Sequence, residues 1–156
     1  MTKTNAMRIL DKAKIVYKVI QYEYDDNDLN GITIAKSASL NPEIVFKTLV
    51  ARGDKTGIIV MCVPVGKEID LKKAAAESGN KRVEMLHVKE LLPTVGYMRG
   101  ACSPVGMKKK FPTYIDSSVL NVSEMAVSGG MKGYQILLNS KDLSDFLEAK
   151  VCDITY

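Results

Sequence analysis

The chain has a single histidine, His87, among its 156 residues. That scarcity excludes much ready-made chemistry. A Ser-His-Asp triad would have to use His87, and no G-x-S-x-G elbow accompanies it. His87 reads better as a surface or capping residue than as a catalytic base. The chain has only three cysteines, Cys62, Cys102 and Cys152. An odd count with wide gaps matches neither a C-x-x-C redox motif nor a zinc pattern. Reduced thiols in a cytoplasmic protein are the simplest account. No G-x-x-x-x-G-K-[ST] loop or G-x-G-x-x-G follows a strand, so phosphate cradles for nucleotides are absent. No apolar run reaches the roughly 18 residues that span a bilayer. The first residues, Met1 to Asn5, lack the apolar segment of a secretory signal. The expectation is a cytoplasmic protein that needs no metal or cofactor.

The composition is 46% hydrophobic and 26% charged. It suits one compact domain over residues 1–156, able to bury a core without staples. The net charge of +4 tolerates a polyanionic partner without demanding one.

Periodicity predicts a first helix capped by Thr4, with Ala6, Ile9, Leu10 and Ala13 on one face. Alternation over residues 15–24 predicts a strand, then a polar loop over 25–28 and a weak helix over 32–40. Asn41-Pro42 predicts a short helix towards Lys47, because Asn suits a cap and Pro the first helical position. Strands over 48–51 and 58–64 should form a hairpin across a polar turn. Asp70 should cap a helix over 71–78, stopped by Gly79. A strand over 83–86 and a helix over 87–92, ended by Pro93, follow. Glycines and prolines break residues 96–112 into a loop. Strands over 113–116, 124–127 and 135–138 and a last helix over 141–149 complete the chain. Strands and helices do not alternate strictly, so the expected class is α+β with a mixed sheet.

Two local features carry possible chemistry. Lys47 sits in the apolar run Ile44-Val45-Phe46-Lys47-Thr48-Leu49-Val50. In a cleft its charge could hold a phosphate, a carboxylate or a developing oxyanion; the ordinary alternative is a solvated lysine. The second is the loop Gly100-Ala101-Cys102-Ser103-Pro104-Val105-Gly106. Gly admits a close ligand and Pro stiffens the turn, so backbone N–H groups could face a carbonyl oxygen; a plain structural turn is the alternative. Cys102 lacks an identifiable basic partner and reads as a bystander. Lys108-Lys109-Lys110 suits either RNA phosphates or a solvated face.

These features, in this order, resemble the YbaK/prolyl-tRNA-synthetase-associated editing family. The resemblance runs through Leu40-Asn41-Pro42-Glu43-Ile44-Val45-Phe46-Lys47-Thr48-Leu49, Asp70-Leu71-Lys72-Lys73-Ala74-Ala75 and Lys81-Arg82-Val83-Glu84-Met85. It continues through Thr94-Val95-Gly96-Tyr97, Ser103-Pro104-Val105-Gly106-Met107-Lys108-Lys109, Pro112-Thr113-Tyr114-Ile115-Asp116 and Val127-Ser128-Gly129-Gly130. It implies a mixed β-sheet, partly closed into a barrel, with surrounding helices. It implies an aminoacyl-tRNA deacylase, and within the family the chain looks like the free-standing branch acting on Cys-tRNA(Pro). The family lysine maps to Lys47 and its G-x-x-x-P motif to Gly100 and Pro104, with Lys47 and Gly100 as the catalytic pair. Tyr22, Ser103, Pro104, Ser128 and Gln135 are the implied substrate-binding residues. The chain departs from the family pattern twice: no pocket aromatic stands near Leu29-Asn30, and Gln135 replaces a pocket acid. The resemblance further implies a substrate thiol as nucleophile, the acceptor end of tRNA as partner, and a prolyl-tRNA synthetase as a further partner. Deacylation of Ala-tRNA(Pro) and a non-catalytic module that binds tRNA or a synthetase are the competing expectations.

Overall fold

The computed structural model describes residues 2–156. Helix α1 (Asn5–Lys12) starts where Thr4 Oγ1 accepts the Met7 N–H at 3.2 Å. The same hydroxyl donates to the Gly129 carbonyl at 2.6 Å, which pins the helix to a distant turn. Strand β1 (Tyr17–Gln21) and helix α2 (Gly31–Ser37) follow. Strands β2 (Phe46–Gly53) and β3 (Gly57–Pro64) form the expected hairpin, with Gly53 opposite Gly57. Helix α3 (Leu71–Ser78) is capped by Asp70 and closed by left-handed Gly79, as read from sequence. Then come β4 (Val83–Met85), α4 (Val88–Val95), the irregular stretch 96–112 and β5 (Thr113–Asp116). A 3-10 turn (Ser117–Asn121), β6 (Glu124–Ser128), β7 (Tyr134–Asn139), α5 (Ser140–Leu147) and β8 (Lys150–Cys152) complete the described chain.

The expected α+β class with mixed pairing is realised as two sheets. One is antiparallel, in the order β1-β7-β6; the other runs β4-β2-β3-β5-β8 and pairs β3, β5 and β8 in parallel. The two meet at a parallel bridge between Val45 and Ala126, where the Ala126 N–H donates to the Ile44 carbonyl at 2.8 Å. No closed barrel forms among the described residues. The main core lies between the sheets, where Phe46, Cys62 and Ile115 meet Met125, Val127, Ile136 and Leu138, with α1 and α5 supplying Met7, Leu10 and Leu143. Beyond the large sheet, Ala74 and Ala75 of α3 cover Ala51, Ile59, Met61 and Val63. Beyond the small one, Ala35 of α2 meets Ala126, Val45 and Val65.

Two expectations fail and one element was not predicted, each for an identifiable reason. The short helix from Pro42 to Lys47 is a single turn, and Phe46 and Lys47 already belong to β2. Asn41 does cap it, accepting the Glu43 N–H at 2.9 Å. The Val45 carbonyl then takes a bond from Val65 N and the Ile44 carbonyl one from Ala126 N, so sheet pairing wins over a second helical turn. Helix α4 runs through Pro93 and stops at Gly96, where φ is +92°. The carbonyl deprived by the proline ring belongs to exposed Lys89, which water can satisfy. The three-residue β8 is too short to show an alternation and was not anticipated.

Candidate functional site

Strand β2 is paired on one side by β3 along its whole length, but β4 joins the other side only at Ala51–Gly53. From Lys47 to Leu49 that edge has no strand partner among the described residues. Strand β6 touches β2 at the Val45–Ala126 bridge, and the pairing stops there. The open edge and the end of β6 bound a pocket of about 330 Å³, lined by Phe46, Lys47, Thr48 and Leu49 from β2, Ser128 from β6 and Gln135 from β7. Ser128 and Gln135 are directly opposed in the β6–β7 ladder, so their side chains share one face. The start of α2 adds Leu29, Asn30, Gly31 and Ile34, and the loop after α4 adds Arg99, Gly100 and Cys102.

The loop's conformation depends on glycine at one place. Gly100 has φ of +88°, and a Cβ there would lie 2.9 Å from Leu29 Cδ1 and 3.3 Å from Lys132 Cε. Any other residue would be strained and crowded. The loop is tied at two further points. The Tyr97 hydroxyl donates to the Val105 carbonyl. The Ser128 hydroxyl donates to the Ala101 carbonyl at 2.9 Å and accepts the Gly130 N–H at 3.1 Å. The Ala101 N–H bonds the Met98 carbonyl, whereas the N–H groups of Gly100 and Cys102 donate to no described residue.

The pocket is cationic, since Lys47 and Arg99 line it and no Asp or Glu does. Neither cation takes part in an ion pair among the described residues. Two buried oxygens in the lining lack a hydrogen-bond partner, Gln135 Oε1 and Thr48 Oγ1. Gln135 is 5% exposed. Thr48 stands opposite buried Cys62 in the ladder, without hydrogen-bonding geometry to it. Such groups cost about 1–3 kcal/mol each unless a water or a bound molecule supplies the partner. The Cys102 thiol is pushed up to about 12 by burial, which leaves it protonated and unreactive at neutral pH. Among the described residues no cluster of three or more His, Cys, Asp or Glu is placed to hold a metal ion.

Of the residues singled out from sequence, Lys47, Gly100, Ser128 and Gln135 come together here. Tyr22, Ser103 and Pro104 lie outside the lining. Tyr22 packs with Ile34 and Ala38 under α2. Ser103 is fully buried and accepts the Val105 N–H. Pro104 lines a separate hollow with Ile9 and Phe146. His87 is exposed ahead of α4, where its N–H donates to Glu90 Oε2 at 3.2 Å. Sequence reasoning missed Thr48, Arg99, Gly31 and Ile34, whereas the neighbourhood of Leu29 and Asn30 was implied as pocket by the resemblance. Arg99, adjacent to the glycine of the motif, was the one with a readable signal.

Comparison with known proteins places this arrangement in context. Residues 32–146 match the aminoacyl-tRNA editing domain family. A protein of Enterococcus faecalis strain V583, EbsC, assigned as a Cys-tRNA(Pro)/Cys-tRNA(Cys) deacylase, is 43% identical over 153 residues, covering 98% of this chain and 93% of its own. A proline–tRNA ligase of Brachyspira hyodysenteriae is 27% identical over 77% of this chain, which spans 20% of that protein. Among solved structures, a protein assigned as a trans-editing enzyme for prolyl-tRNA synthetase superposes with a TM-score of 0.84 at 22% identity, covering 100% of this chain and 99% of its own.

Proposed function

The chain belongs to the aminoacyl-tRNA editing domain family, and on that footing we propose that it is a hydrolase that removes cysteine from mischarged Cys-tRNA(Pro). It works as a single editing domain in the cytoplasm, on tRNA handed over by a prolyl-tRNA synthetase. The observation that carries the reading is the convergence of Lys47, the Gly100 loop, Ser128 and Gln135 on one acid-free pocket.

The pocket offers no activated nucleophile of its own, because the Cys102 thiol is held protonated and no His, Asp or Glu lines the pocket to act as a base. The substrate supplies one. Its side-chain sulfur, once deprotonated, attacks the ester carbonyl of the same residue. A carbon–sulfur bond forms, the carbon–oxygen bond to the ribose breaks, and the ribose oxygen takes a proton. Water then opens the resulting thiolactone and frees cysteine. Holding sulfur and carbonyl in reactive geometry lowers the barrier by up to about 7–11 kcal/mol. The free N–H groups of Gly100 and Cys102 are suited to the oxygen that gains negative charge, and Lys47 supports that charge or anchors the ester. Gln135 and Thr48 accept hydrogen bonds from the amino acid or the terminal ribose. Purified protein should release cysteine from Cys-tRNA(Pro) far faster than buffer does, in the presence of chelator. Turnover abolished by chelator and restored by zinc would overturn the reading.

A further inference from the structure

The mouth of the pocket lies between two stretches of opposite charge. Residues 19–35, which supply Leu29, Asn30, Gly31 and Ile34, contain Glu23, Asp25, Asp26 and Asp28 and no Lys or Arg. Residues 91–115, which supply Arg99, Gly100 and Cys102, contain Arg99, Lys108, Lys109 and Lys110 and no Asp or Glu. On the acidic side, Glu23, Asp25 and Asp28 line a second hollow that shares Ile34 with the pocket. Among the described residues, Asp26 is the one acid of that lip with a cation, Lys132 at 2.7 Å, and in the basic stretch Lys110 is paired with Glu148.

On the basic side, Lys108 is tied to the end of α4. Its N–H donates to the Val95 carbonyl at 3.0 Å, its stem passes 3.2 Å from the place of a Cβ on Gly96, and its ammonium donates to the Pro93 carbonyl at 3.2 Å. Two residues, Tyr97 and Met98, lie between Gly96 and Arg99, whose Cα atoms are therefore at most about 11 Å apart. Arg99 and Lys108 are both exposed.

We propose that the 3′ strand of the tRNA leaves the pocket over Arg99 and Lys108, along the acid-free loop, and that the acidic lip bars the opposite exit. This rests on the deacylase reading and adds the direction of the RNA to it. A strand that ends in an ester inside the pocket has two ways out, and its phosphates are repelled on one side and neutralised on the other. At physiological salt the Debye length is about 8 Å, so only the nearest charges steer the strand. A lip, rather than net charge, then sets the path.

The test compares kcat/KM on Cys-tRNA(Pro) with kcat/KM on 3′-cysteinyl-adenosine, which carries no phosphate. The ratio is measured for the unaltered protein, Lys108→Glu, Arg99→Glu, Asp25→Lys and Lys55→Glu. Lys55 is exposed in the turn of the β2–β3 hairpin, beyond Gly53, which lies about 20 Å along β2 from Lys47 at ~3.3 Å per residue, and its reversal changes net charge as Lys108→Glu does. Lys108→Glu and Arg99→Glu should each lower the ratio about tenfold and reduce the salt slope on tRNA by about 0.7–1. Lys55→Glu should change it less than twofold, and Asp25→Lys should not lower it. Equal effects of Lys108→Glu and Lys55→Glu would overturn the proposal, as would a loss on both substrates that leaves the ratio intact. An unaltered protein inactive on both substrates would instead sink the deacylase reading.

Discussion

Replacing Ser128 by alanine asks whether its hydroxyl holds the loop or touches the substrate. The hydroxyl makes two hydrogen bonds, to the Ala101 carbonyl at 2.9 Å and from the Gly130 N–H at 3.1 Å. Ala101 is 9% exposed, so its carbonyl would be left with little access to water. Each bond is worth about 1 kcal/mol net, and a stranded buried carbonyl costs about 1–3 kcal/mol. The variant should therefore lose about 1–3 kcal/mol of stability, at roughly 2–4 °C of Tm per kcal/mol for a chain of this size. The freed loop also moves the Gly100 and Cys102 N–H groups. Misplacement of about 1 Å can cost about a hundredfold in rate, and the loss should fall on kcat more than on KM. Urea melts and single-turnover deacylation of Cys-tRNA(Pro) read the two effects in one preparation. Activity lost at full stability would refute the tether and place the hydroxyl against the substrate. Stability lost at full activity would refute any link between the loop and catalysis.

Two other perturbations follow from the same structure. Lys47→Ala should reduce deacylation at least about a hundredfold with a Tm within a few degrees of the parent, since Lys47 forms no ion pair among the described residues. Lys47→Arg should also be impaired, because a planar fork does not replace a compact ammonium, and a folded Lys47→Ala protein with normal turnover would return the lysine to the solvated surface. Asp116 is 1% exposed; burial pushes its carboxyl up, but bonds from the Ser118 hydroxyl, the Ile154 and Ser118 N–H groups and the Thr155 hydroxyl outweigh that and hold it below the usual carboxylate range. A lowered pKa adds stability that is present above about pH 4 and is lost as pH falls through the folded value. Asp116→Asn should thus cost about 2–3 kcal/mol in urea melts at pH 7, and the gap should narrow at pH 3; a constant gap would refute the assignment.

Much of the fold was legible because caps and turns carry local signals. Thr4 and Asp70 with Gly79 sit at helix ends in the structure, and the β2–β3 hairpin closes between Gly53 and Gly57. What escaped was decided by distant partners. The turn at Pro42 becomes strand because Ala126 and Val65 claim its carbonyls, and β8 exists only because β5 offers an edge. The candidate site divides in the same way. Lys47 and Gly100 stood out as local anomalies, a charge in an apolar run and a glycine in a punctuated loop. Thr48 could not, since only the stop in β2–β6 pairing turns an ordinary strand residue into pocket lining. Gln135 entered through family resemblance, and its partnerless oxygen is a fact of packing that no spacing encodes.

The central claim is that the nucleophile comes from the substrate, and a side-by-side rate comparison tests it most directly. One tRNA(Pro) is charged with cysteine, serine or alanine and given to the unaltered protein and to Cys102→Ala. Serine nearly matches cysteine in shape, so a size filter separates the two poorly, whereas a hydroxyl is far harder to ionise than a thiol. Cys-tRNA(Pro) should react far faster than the other two, and Cys102→Ala should keep most of that activity, because its thiol is buried and protonated. Equal rates on Ser- and Cys-tRNA(Pro), or a folded but inactive Cys102→Ala protein, would contradict substrate assistance.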